Sequence, residues 1–86
     1  MEAFVFDAVL LREPRGYSAL CLDVDVATSA RTPALAKSRL ADAVRGYVET
    51  ALAGNLPVLR PVPANENPIL VSPQDVAGRF AVQAGA

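Results

Sequence analysis

Residues 16–47, GYSALCLDVDVATSARTPALAKSRLADAVRGY, decide the fold. In the first half, Tyr17, Ala19 and Cys21 alternate against Ser18, Leu20 and Leu22, the period-2 pattern of a strand over Tyr17–Asp23. Val24–Ala30 continues as a third strand or extended edge, with Asp25 near a tight bend or bulge. Thr32-Pro33 then starts a helix, because Thr supplies an N-cap oxygen and Pro suits the first helical position, where its missing amide is not needed. The N3 position is Leu35, so the reciprocal half of a capping box is absent. Ala36, Leu40, Ala43, Val44, Tyr47, Val48 and Ala51 share one broad stripe, and Ser38, Asp42, Arg45 and Glu49 lie opposite. The spacing predicts a helix over Thr32–Ala53 with one face buried on a sheet. Gly46 weakens it by about 1 kcal/mol against Ala, and on the flank of the stripe it would allow a close neighbour.

Outward from this stretch, Ala3–Leu11 is apolar except for Asp7 and reads as a strand. Phe4, Phe6, Ala8 and Leu10 fall on one side, and Val5, Asp7, Val9 and Leu11 on the other. Arg12-Glu13-Pro14-Arg15-Gly16 is expected to close a hairpin. Gly54-Asn55, followed by Pro57, ends the helix. Pro57–Pro68 holds four prolines in twelve residues and is expected to be an extended connector. Ile69–Val71 is a candidate short strand, and Ser72-Pro73 a helix start that ends at Gly78. Phe80 and Val82 alternate as in one more strand, or the tail is loose after Gly78; the pattern leaves both open.

Eighty-six residues make one domain with a marginal core, for which disulfides, metals or self-association are the usual reinforcement. Cys21 has no intramolecular partner and the chain has no histidine, which leaves association. The composition is 52% hydrophobic and 20% charged; it fits buried subunit contact and, equally, an alanine-rich chain from a high-GC genome. A net charge of −1 gives no global attraction for nucleic acid. The apolar runs are too short for a bilayer span, and Met1-Glu2 leads into a strand without a basic n-region. The expected location is the cytosol, with no membrane partner.

Few side chains can carry chemistry. Without histidine, the usual base for a Ser or Cys nucleophile is missing. Asp23 and Asp25, two apart on a strand, would share a face as metal ligands or an acid–base pair; at a strand junction such a pair ordinarily marks a solvated bend, the reading adopted here. Cys21 reads as a small buried hydrophobe, and Tyr47 as core. Neither GxxxxGK[ST] nor GxGxxG occurs. No catalytic, cofactor-binding or metal residue is therefore assigned, and the chain is expected not to be an enzyme. Arg31, Lys37, Arg39 and Arg45 are the one concentration of positive charge; Arg31, Lys37 and Arg39 are the candidate contacts to a partner or to phosphates, although solubility alone also accounts for them.

Gly16-Tyr17, Thr32, Ala36, Leu40, Ala43 and Tyr47, in this order and spacing, resemble the HicB family, the antitoxin-type partners of small toxin ribonucleases. Arg60-Pro61-Val62-Pro63 is similar to that family's proline-rich exit. Two departures are Ala30, where the family usually has Gly, and Leu35-Ala36 in place of an acidic-Ala step. The resemblance spans Phe4 to Pro63 and implies a β-β-β-α-β domain related in shape to double-stranded RNA-binding domains but without nuclease chemistry. The last twenty or so residues are too few and too poor in basic side chains for the helix-turn-helix of true antitoxins.

The expected fold is α+β: a three- to four-stranded, mainly antiparallel sheet with one long helix on one face. Residues 1–63 form the HicB-like part, and 64–86 an extension that completes the same domain. Apolar residues on both strand faces need cover, from the tail or from a second subunit in a homodimer. The expected function is non-enzymatic protein binding of the HicB antitoxin type, either with a toxin partner or as an orphan of a toxin–antitoxin pair. The alternative is a nucleic-acid-binding module that contacts phosphates through the helix start.

Overall fold

The computed structural model describes residues 3–85. Strand β1 (Ala3–Glu13) turns into β2 (Gly16–Cys21) and then β3 (Val26–Ala30). Helix α1 (Pro33–Ala53), one short helical turn α2 (Pro68–Val71) and strand β4 (Val76–Gly85) follow. The four strands form one sheet in the order β3-β2-β1-β4, and every neighbouring pair is antiparallel. This is the expected sheet with one long helix, in the expected order.

The boundaries differ for physical reasons. Arg12 pairs with Tyr17 and Glu13 with Gly16, so the β1–β2 turn contracts from five residues to Pro14-Arg15. Strand β2 stops at Cys21, because the Asp25 N–H closes a turn on the Cys21 carbonyl at 3.0 Å, with Asp25 at φ 52°. Ile69–Val71 is helical rather than extended: the Asn67 side chain caps the Ile69 N–H at 3.0 Å, and Pro68 supplies the first helical φ. Pro73–Asp75 adds a single 3-10 turn. The tail is a full strand, paired residue by residue with β1 from Ala3 to Leu10.

Helix α1 forms where the sequence predicts. The Thr32 hydroxyl accepts the Leu35 N–H at 3.2 Å, and Pro33 stands at the start. At the other end Leu56 N–H donates to the Ala51 carbonyl and Asn55 N–H to that of Leu52, with Asn55 rather than Gly54 in the left-handed conformation (φ 54°). Ala36, Leu40, Val44, Val48 and Ala51 are its buried stripe. Ala36, Leu40, Val44 and Val48 pack on Phe6, Ala8 and Leu10 of β1, Ala19 and Cys21 of β2, and Val82 and Ala84 of β4. Gly46 does not serve a close approach, since nothing lies within 4 Å of where its Cβ would be.

The second face is covered by the chain itself. Val9 alternates away from this core, yet it is fully buried. After α1 the chain passes the β2–β3 turn, where Arg60 N–H donates to the Asp23 carbonyl and Val62 N–H to that of Leu22, both at 2.9 Å. It rejoins the sheet at the far end of β1, where Val76 pairs with Leu11. Residues 63–75 span the distance between these two points, and Pro68 is buried on the way. Val9 is thus covered within the single chain. Val5, 62% exposed, stays open. No helix among the described residues is long and apolar enough to cross a membrane.

Candidate partner-binding groove

The β1–β2 turn, the end of β3 and the first turns of α1 meet at one end of the molecule. They enclose an open depression of about 660 Å³, lined by Glu13, Pro14, Arg15, Gly16, Tyr17, Ser29, Ala30, Arg31, Leu35 and Arg39. The register creates it. Tyr17 pairs with Ala30, which brings the β3 exit against the turn. A Cβ on Gly16 would lie 2.5 Å from the Ala30 carbonyl oxygen, and Gly16 sits at φ +156°, so only glycine lets the two segments close up. The floor is partly apolar: Leu35 is 43% exposed, and Tyr17 and Ala30 are half-buried against the core.

Three guanidinium groups and one carboxylate line this depression. Glu13 accepts a hydrogen bond from the Ser18 hydroxyl. Arg39 donates to the Ser29 carbonyl at 2.8 Å. Among the described residues the one ion pair is Arg45 with Asp42, on the solvated side of α1. Arg15, Arg31 and Arg39 thus have no carboxylate partner among the described residues, on a chain whose net charge is −1.

The three basic residues singled out from the sequence do not form one cluster. Arg31 and Arg39 line the depression. Lys37 lies over the Phe80 ring on the β4 side, its ammonium 5.2 Å from the centroid, a cation–π placement. Arg15 takes the third place. Sequence reading missed it because it lies sixteen residues before Arg31; the signal was its step before Gly16, once the β2–β3 register is known.

The carboxylates at the other end do structural work. Asp23 Oδ2 accepts the Asp7 N–H at 2.8 Å, and Asp25 is an exposed turn residue. Among the described residues no three acidic or thiol side chains gather as metal ligands. Cys21 is buried, and desolvation pushes its thiol pKa up, so it behaves as a core side chain. Tyr47 is half-buried under the Arg60 guanidinium, 5.3 Å from the ring centroid.

Comparison with protein-family models, with curated proteins and with solved structures finds no match for this chain.

Proposed function

We propose that the chain is a non-enzymatic protein-binding domain of the HicB antitoxin type, acting in the cytosol as a homodimer and masking a small toxin ribonuclease. The observation that carries the binding reading is the groove, lined both by exposed Leu35 and by guanidinium groups that have no carboxylate partner among the described residues. Charged hydrogen-bonding groups around an apolar floor are what a protein partner's side chains engage. The family part rests on the motif residues, five of which have a definite task. Gly16 admits the β3 exit, Thr32 caps α1, Ala36 and Leu40 are fully buried, and Tyr47 carries Arg60 of the proline-rich exit.

Affinity capture from the native cell tests the reading. The tagged chain is expected to retain one small protein stoichiometrically in nuclease-treated lysate, and to neutralise that protein's toxicity on co-expression. Retention of no protein above a tag-only control refutes it.

A nucleic-acid reading draws on the same guanidinium groups, but Lys37 stands apart from them. It requires duplex binding that weakens steeply with salt, and a shallower slope when Arg15 and Arg31 are replaced. Absence of binding to duplex RNA or DNA at low salt removes it.

A further inference from the structure

The two edges of the sheet are not equivalent. The Asp7 N–H and carbonyl both point toward β2, to Asp23 Oδ2 and the Leu22 N–H. Backbone groups alternate direction along a strand, so Phe6 and Ala8 point to β4. Their partners Val82 and Phe80 then point inward, and Arg79, Ala81 and Gln83 direct their amides and carbonyls out of the sheet. By the same alternation, Ala27 and Ser29 face outward on β3. That edge is blunted: β3 has five residues, Arg39 occupies the Ser29 carbonyl, and Thr28 ties the strand to the Ala36 carbonyl of α1. The β4 edge has ten residues, one charged side chain and no proline. Long edges of this kind pair with another strand unless protected.

We infer that β4 pairs antiparallel with β4 of a second copy, centred on Ala81, giving a continuous eight-stranded sheet. The inference rests on the homodimer reading and names its seam and register. Two-fold symmetry makes the contact self-complementary, so a strand with two free outward rows can satisfy its own copy. Centred on Ala81, Arg79 stands opposite the second copy's Gln83, a guanidinium beside an amide oxygen. Centring on Arg79 would instead place two guanidinium groups opposite each other, a like-charge pair that disfavours that register. On the helix face, Phe80, which is half-buried, meets the second copy's Val82, an aromatic–β-branched pair.

Sedimentation and cysteine cross-linking test this. The wild-type chain at tens of micromolar is expected at twice its 9.0 kDa mass. Ala81→Pro removes an outward amide without touching the ladder to β1, and is expected to give the single-chain mass with an unchanged circular dichroism spectrum. Ala81→Cys is expected to cross-link to its own copy on mild oxidation, whereas Gln83→Cys is not, because that position faces Arg79 of the second copy. A wild-type dimer that persists in Ala81→Pro, or that cross-links through Gln83→Cys and not Ala81→Cys, overturns the β4 seam and leaves the homodimer standing. A monomeric wild-type chain overturns both. Should Ala81→Pro fail to fold, the cross-linking pair alone decides.

Discussion

The two ends of the sheet handle their polar groups in opposite ways. At the β2–β3 turn almost every one has an internal partner: Asp23 takes the Asp7 N–H on its side chain and the Arg60 N–H on its carbonyl, and the Arg60 guanidinium lies on Tyr47. At the β1–β2 turn, Arg15 and Arg31 have no side-chain partner among the described residues. Residues tied down in this way hold the connector against the sheet and are not available to a ligand. Residues left without partners add little to the fold, and their charge faces outward. The difference separates a tied-down end from one whose guanidinium groups stay open, and it reverses what proximity in sequence indicates. Asp23 and Asp25 are two residues apart and serve a turn; Arg15, Arg31 and Arg39 are scattered and converge.

Substitutions at each end sharpen the contrast. The largest effect is expected from Gly16→Ala, whose Cβ meets the Ala30 carbonyl at 2.5 Å. A loss of about 2–3 kcal/mol in urea denaturation is expected, of the order that a forced backbone conformation costs. A loss below 0.5 kcal/mol would mean that the β3 exit moves freely and the groove has no fixed shape. Next comes Asp23→Ala, which leaves the Asp7 N–H to water and is expected to lower stability by about 1 kcal/mol. For a domain of this size that is about 4–8 °C in melting temperature. Arg60→Ala should follow at about 0.5–1 kcal/mol, through loss of the Tyr47 contact. Smallest is the pair Arg15→Ala and Arg31→Ala, each expected within about 0.5 kcal/mol of wild type. If these two destabilise as much as Asp23→Ala, both ends are scaffold and the contrast fails.

How much of this could be read from the chain follows from which contacts are periodic. Helix α1 and its buried stripe were legible because Ala36, Leu40, Val44, Val48 and Ala51 recur at helical spacing behind a Thr-Pro start. The face of β1 that meets them followed from alternation. The course of the connector after α1 was not legible, since residues 57–75 have no period and are held by the Arg60 and Val62 amides on the Asp23 and Leu22 carbonyls. Ile69–Val71 looked like a strand because three apolar residues carry no information about Asn67 capping them into a turn. Strand β4 was half legible: Phe80 and Val82 alternate, but only pairing with β1 orders them. The groove was legible in two of its three arginines. Arg15 joins through register, which no local pattern encodes, and Lys37 leaves because its side of α1 faces Phe80.

The arginine end is the proposed partner surface. It is tested most directly by measuring the affinity of the captured protein for three forms of the chain: wild type, the double variant Arg15→Glu/Arg31→Glu, and Arg45→Glu on the solvated side of α1. The groove variant is expected to lose at least about tenfold, on the order of 1.4 kcal/mol, with its melting temperature unchanged, while Arg45→Glu binds like wild type. Equal affinity for all three forms, or an equal loss in both variants, would contradict the account.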